Sequence, residues 1–385
     1  MKKTFLFSMA LVAALSSCTK DSAIENDNNN GTNLDLNPNA PVAIQLGAGS
    51  NISAGVEEMP KSRGVVNAWN NTKIGIFALS KAGDWNAEQV ASDPTVLWNN
   101  VQGTVSAANK VTDFVLGNQP GYYPNQGTLN YSFYGYCLTD DLTTIAESWD
   151  APTINAGGDV VTVTHEIDGT DDILWGKAEA TQLNGIGEDS ENTYDGYNAK
   201  YFRKGDGAVT PSMSFRHLLT QLQFNVNKSA SYEGGQTLYL RSITVKAVDT
   251  NLDLTIADVS GTNGEGKLTV NADARNKDLA VSNIAANGIA IADLDALKPA
   301  GDPIMLYTDG ATTNTFEIEV VLAGGTEPDS PKSTNKLTIT APNSGIYEIG
   351  TAYKVNLTIN SLESIDLDAT VAKWVEEKTP IEGEI

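Results

Sequence analysis

The feature that most constrains this chain is a pattern that recurs along most of its length: short runs in which apolar and polar residues alternate, separated by Gly, Asn, Asp and Pro. It is seen in "LNYSFYGYCL" (129–138), "DVVTVTHEI" (159–167), "LTQLQFNVN" (219–227), "LYLRSITVKAV" (238–248), "GKLTVNA" (266–272), "NTFEIEVVL" (314–322), "NKLTITAP" (335–342) and "AYKVNLTIN" (352–360). A period of two places successive side chains on opposite faces of a strand, so each run carries one face that must be buried. Strands with one apolar face satisfy one another by stacking as packed sheets. Long, capped amphipathic helical stretches are missing from the sequence, and only "IAANGIAIADLDALKPAG" (284–301) is expected to hold a short helix. With no short-period repeat, a solenoid or propeller does not fit either. The fold class is therefore all-β.

At 385 residues the chain is long enough for two such cores. The long polar stretch "GIGEDSENTYDGYNAKYFRKGDGAVTPS" (185–212) lacks alternation and marks the division, giving a first domain at 64–210 and a second at 211–385. The N-terminus departs from the strand pattern. Lys2 and Lys3 precede a mostly apolar run from Thr4 to Leu15, too short to span a bilayer, which reads as an export signal over residues 1–17. The run ends at Leu15-Ser16-Ser17-Cys18, which resembles the lipobox of bacterial lipoproteins, in which the cysteine receives a diacylglycerol. Several acyl chains on Cys18 would exceed what stable membrane anchoring requires. Residues 18–40 are rich in Asn and Asp without apolar periodicity, as in a disordered tether. From Pro41, "PVAIQLGAGSNISA" sets Val42, Ile44 and Leu46 on one side of an extended segment, so 41–63 holds a strand followed by a polar loop ending at Arg63.

Charge and motif content exclude several functions. A net charge of −23 and no stripe of basic residues argue against nucleic acid as a partner. The two histidines, His165 and His217, lie within predicted strands, and no HExxH, CxxC, P-loop, GxSxG or strand-to-helix GxGxxG is present. "EIDGTDDI", with Glu166, Asp168, Asp171 and Asp172, lacks the spacing of a calcium loop and reads as a hairpin turn. No metal, cofactor or catalytic residue is expected, and the chain is not read as an enzyme. Cys137, inside an alternating aromatic run, is a small buried hydrophobe. Trp69, Trp85, Trp98, Trp149, Trp175 and Trp374 serve either as core residues or, if exposed, as platforms for sugar rings, the second case describing an anchored glycan-binding lipoprotein. Arg63 is the only arginine before position 203 and is flanked by Ser62 and Gly64, so it is either an accessible protease site or an ordinary loop arginine.

Taken in order, "LSSC", "SRGVVNAWNNTKIGIFAL", "GYYPNQGTLNYSFYGYCL", "DDILWGKA", "SFRHLLTQLQFNV", "YKVNLTI" and "VAKWVE" resemble the fimbrillin family of type V pilin lipoproteins from Bacteroidales-type bacteria. That resemblance implies two tandem transthyretin-like antiparallel β-sandwich domains, an outer-membrane lipoprotein precursor anchored through Cys18, and cleavage by an arginine-specific protease between Arg63 and Gly64. Loss of residues 18–63 would take away the strand carrying Val42, Ile44 and Leu46, and a neighbouring pilin subunit would fill the vacated groove. The candidate donor is the C-terminal tail, where Ile365, Leu367, Val371 and Val375 lie in an alternating run; the same run also reads as the last strand of the second domain. The resemblance implies a cell-surface fimbrium that supports adhesion, with the subunit's rank as stalk, tip or anchor left open.

Overall fold

The structure is a computed structural model that describes residues 40–49, 69, 71–80, 95–125, 129–137, 151–178, 183–184, 193–194, 196–203, 208–230, 232, 236–261, 264–291, 296–327 and 329–372. The first half contributes β1 (Leu46–Ala48), β2 (Thr72–Ser80), β3 (Val96–Val105), β4 (Lys110–Val115), β5 (Tyr131–Cys137), β6 (Thr153–Ile154), β7 (Val160–Glu166), β8 (Leu174–Ala178), β9 (Leu183–Asn184), β10 (Thr193–Tyr194) and the short helix α1 (Ala199–Arg203). Next come β11 (Ser212–His217), β12 (Thr220–Lys228), β13 (Leu238–Asp249), β14 (Asn251–Asp258), β15 (Lys267–Val270), β16 (Asn276–Ala280) and β17 (Ile289–Ile291). The chain closes with β18 (Lys298–Pro299), β19 (Ile304–Leu306), β20 (Thr315–Ala323), β21 (Lys332–Thr340), β22 (Ala352–Ser361) and β23 (Ser364–Ala372). The all-β reading holds for the described residues.

The first lobe is a closed barrel in the order β1-β11-β8-β5-β2-β3-β4, with β1 pairing back onto β4. At its centre β2 and β5 are buried on both faces, which their sequences "TKIGIFALS" and "YSFYGYC" signal by apolar residues at nearly every position. Ile74, Ile76, Tyr131 and Phe133 face the barrel interior. On the outside, Phe77, Leu79, Tyr134 and Tyr136 meet a second core beneath a four-stranded sheet, β15-β14-β7-β6. That sheet draws β6 and β7 from the first half of the sequence and β14 and β15 from the second. The chain reaches it through Thr250, where one long extended run passes from β13 in one sheet to β14 in another.

The second lobe is a β-sandwich. One sheet runs β18-β12-β22-β23 with β19 also on β12, and the other runs β16-β13-β20-β21 with β17 also on β13. Leu222, Phe224, Val355 and Leu357 of the first sheet pack on Leu240, Ile243, Ile318 and Val320 of the second.

Two expectations need correction. The division at 210/211 falls too early for the barrel, because β11 pairs with β8 and belongs to the first lobe; its "SMSFRH" alternation follows the polar stretch so closely that sequence alone assigns it to the wrong side. The helix expected in 284–301 is not found among the described residues there, which hold the short strands β17 and β18, with 292–295 outside the description. Gly288 turns the chain with φ of 87° before β17, and Pro299 lies at the edge of a sheet. The α-helix that does form among the described residues, α1, lies instead in the polar stretch, started by Asn198, whose side-chain oxygen accepts from the Tyr201 amide at 2.8 Å.

Candidate functional site

The barrel is closed by its smallest strand. β1 lies parallel to β11 on one side, Gly47 opposite Ser212 and Ala48 opposite Met213, and antiparallel to β4 on the other, Leu46 opposite Val111 and Gly47 opposite Lys110. Take β1 away and the remaining six strands stay paired in order, ending in β11 and β4 as two open edges. Backbone bonds stitch the segment on both sides: Gly47 N donates to Pro211 O at 2.7 Å, Ala48 N to Asn109 O at 2.9 Å, and Gly49 N to Met213 O at 2.7 Å. Further up, Ile44 N donates to Gly121 O and Tyr123 N to Val42 O, both at 3.0 Å.

Alternation does the rest. Ile44, Leu46 and Ala48 are 6%, 4% and 3% exposed and join the barrel core with Val111, Met213 and Phe215, while Val42 is half-buried against the same cluster and Ala43 and Gln45 face out. Both ends of the segment are fastened. Arg203, at the end of α1, donates from Nε and Nη2 to Ala40 O at 2.9 and 2.7 Å, and from Nη1 to Asn125 O at 2.7 Å. At the other end the Trp69 indole donates to Gly49 O at 3.0 Å and meets Phe215 edge-on at 4.9 Å. Beside the Ala40 end, Tyr123 stacks on Phe202 at 5.4 Å, and burial, followed by the neighbouring Tyr197, pushes the Tyr123 phenol up, so it stays neutral.

Of the other residues singled out in the sequence, Cys18, Arg63, Gly64 and Val375 lie outside the described residues. Ile365, Leu367 and Val371 are in β23, which pairs antiparallel with β22 and ends that sheet. Ile365 and Leu367 are half-buried and Val371 is 43% exposed. The described tryptophans do not suit a sugar platform: Trp69, Trp98 and Trp175 are buried, with the Trp98 indole donating to Pro120 O at 2.7 Å and that of Trp175 to Ile256 O at 2.7 Å. Both histidines are buried against neighbouring aspartates, His165 Nε2 at 3.1 Å from Asp171 and His217 Nδ1 at 2.7 Å from Asp172. Among the described residues no group of three His, Cys, Asp or Glu side chains could hold a metal ion. Among the described residues the barrel is completed by one short strand that is hydrogen-bonded along both edges.

The sequence profile of the fimbrillin-like family matches residues 62–374. This chain belongs to the fimbrillin-like family. The family is one of fimbrial structural proteins, not of enzymes. No curated protein matches this fimbrillin-like chain. Among solved structures it is similar in fold to a fimbrial protein from Bacteroides vulgatus, with 13% identity, a TM-score of 0.52, and coverage of 87% of this chain and 99% of the other. A protein from Bacteroides uniformis, provisionally described as a cell-adhesion protein, matches at 15% identity and a TM-score of 0.47, covering 87% and 99%. The fimbrial anchor protein Mfa2 from Porphyromonas gingivalis matches at 10% identity and a TM-score of 0.34, covering 88% and 99%.

Proposed function

We propose that this fimbrillin-like chain is a structural subunit of a cell-surface fimbrium, made as an outer-membrane lipoprotein precursor anchored through Cys18, cut between Arg63 and Gly64 by an arginine-specific protease, and polymerised when a strand of another subunit enters the slot held by β1. The two lobes are read in the same proposal as tandem transthyretin-like domains. One observation carries the reading: β1 joins β4 to β11 and precedes Arg63, so a cut after Arg63 severs the barrel's closing strand from the rest of the fold.

An empty slot would expose the edges of β4 and β11 together with the apolar seats of Ile44, Leu46 and Ala48. Unpaired edges beside apolar seats form a template for strand addition. The donor and acceptor surfaces differ, so the contact repeats head to tail without closing and builds an open filament. While β1 stays covalently attached, the slot is filled and the precursor remains a monomer.

The test is N-terminal sequencing of filaments sheared from producing cells, with Arg63→Ala alongside. The reading expects filaments that begin at Gly64, and an Arg63→Ala protein that keeps residues 18–63 and stays unassembled. Filaments whose subunits still carry the Cys18 end would overturn it.

A further inference from the structure

We propose that the sandwich lobe carries a pocket for one neutral monosaccharide unit, formed by the chain that links β12 to β13 and the turn from β22 to β23. This goes beyond the subunit reading above and does not depend on strand exchange. The pocket is a cleft of about 450 Å³, within the span of about 300–1,000 Å³ that small-molecule sites occupy. Leu238 and Leu362 line it with apolar surface, and Tyr232 adds an aromatic ring. Asn360, Ser361 and Glu363 bring an amide, a hydroxyl and a carboxylate to the same space. Among the described residues the Asn360 amide and the Glu363 carboxylate make no hydrogen bond, so both are open to a ligand.

The walls are already held in place. The Tyr232 phenol donates to Gln236 O at 3.0 Å, its backbone amide donates to Ser229 O at 3.0 Å, and Ser229 N donates to Ile359 O at 3.0 Å. The Gln236 side chain donates in turn to Gly324 O. At the turn, Asn335 Nδ2 donates to Leu362 O at 3.0 Å, and Glu363 N donates to Ser361 Oγ at 3.2 Å, which leaves the Ser361 hydroxyl proton to donate elsewhere. A site fixed in this way loses little affinity to ordering when a ligand enters.

The groups present select the class of ligand. A pyranose offers a C–H face that suits an aromatic ring beside leucines, and hydroxyls that can donate to a carboxylate and exchange hydrogen bonds with an amide. An anion would meet Glu363 on a chain of net charge −23. An ammonium group would meet Lys228, whose Nζ stands 3.9 Å from the centre of the Tyr232 ring and already takes a cation's place there. A wholly apolar ligand would strip water from Asn360 and Glu363 without replacing its hydrogen bonds.

The test is a titration of the uncut full chain with the methyl glycosides of glucose, galactose and mannose, read by saturation-transfer NMR, with sodium glucuronate and tetramethylammonium chloride as the charged comparisons. At least one glycoside is expected to saturate, and neither charged compound is. Glu363→Gln, which keeps the shape of the wall, is expected to weaken glycoside binding about tenfold or more. Tyr232→Ala is expected to weaken it roughly 3- to 10-fold. Should Tyr232→Ala lower the unfolding midpoint, Asn360→Ala replaces it, with a loss of about threefold or more expected. The site is overturned if none of the three glycosides saturates, if a charged compound binds as well as they do, or if the substitutions leave binding unchanged. None of these results bears on filaments that begin at Gly64, so the pocket and the strand-exchange reading fail separately.

Discussion

Replacing Leu46 by alanine in the uncut protein isolates the work of the closing strand. Leu46 is buried in the barrel core opposite Val111, and truncating such a leucine costs about 2–5 kcal/mol. The loss falls on β1 because the other six barrel strands remain paired without it. Taking about 3 kcal/mol within that range, the opening of β1 becomes roughly 100-fold more frequent, at about 1.4 kcal/mol per factor of ten. Native-state hydrogen exchange measures it directly. The amides of Ile44, Gly47, Ala48 and Gly49, which bond to Gly121, Pro211, Asn109 and Met213, should exchange roughly 100-fold faster by that conversion. Amides of Ile243 and Val320 in the sandwich should keep their rates when they exchange through openings of the sandwich that leave Leu46 buried. Equal acceleration in both groups would show that β1 unfolds with the rest of the molecule, and the reasoning for a separable strand would fail.

Arg203→Ala removes the donors that hold Ala40 O, bonds to a charged group worth about 1.5–3 kcal/mol; limited proteolysis should then nick the chain near Ala40 to Val42 at least tenfold faster, and a fall in the sandwich's unfolding midpoint would show the clamp is not local. Glu166 is held below its ordinary value of 4.5, first by the hydrogen bond from Lys277 and also by Arg275. A depressed carboxylate contributes stability above its unfolded pKa and loses it as pH falls through the folded one, so the midpoint gap between wild type and Glu166→Gln should be present at neutral pH and vanish on acidification below about 4.5, whereas a gap that persists in acid contradicts the assignment. At Gly135 an added Cβ would meet Phe215 Cζ at 2.6 Å and Met213 Sδ at 2.9 Å. Gly135→Ala should therefore lower stability by about 1–3 kcal/mol in urea with the slope unchanged; an unmoved midpoint would mean that β5 and β11 have room to spare.

The strands were legible because period-two alternation is local. "SMSFRH" and "LTQLQFNVN" show which residues point inward without reference to any partner. Their partners were not legible. β7 and β14 are neighbours in space although 84 residues lie between Glu166 and Asn251 in sequence, and nothing in "DVVTVTHEI" says that it will complete a sheet with "NLDLTIAD" from the other half. The Ile44, Leu46 side of the N-terminal segment was readable for the same local reason as the strands, but the seam it fills, between Lys110–Val115 and Ser212–His217, exists only after the barrel closes. Arg203 went unremarked because its acceptors are backbone carbonyls at Ala40 and Asn125, which no side-chain pattern announces. The pairing of Asp171 and Asp172 with His165 and His217 likewise needs β7 and β11 to meet around the loop that joins β7 to β8.

A comparison of the two lobes explains why exchange would be confined to one of them. In each, an early strand lies parallel to a late one: β1 beside β11 in the barrel, β12 beside β22 in the sandwich. Parallel neighbours cannot be joined by a tight turn and must be brought together from distant parts of the chain. In the sandwich, β12 is continuous with β11 before it and leads on to β13, so it is tethered at both ends by folded structure. In the barrel, the chain before β1 belongs to no described strand, and its link forward runs through Arg63. Cutting that one link frees β1 from everything except its hydrogen bonds and three buried side chains. No single cut does the same to β12, because its eight register pairs with β22 and its contacts with β18 and β19 keep it in place. The barrel is thus the lobe whose closing strand a single cut after Arg63 would separate from the chain that follows it.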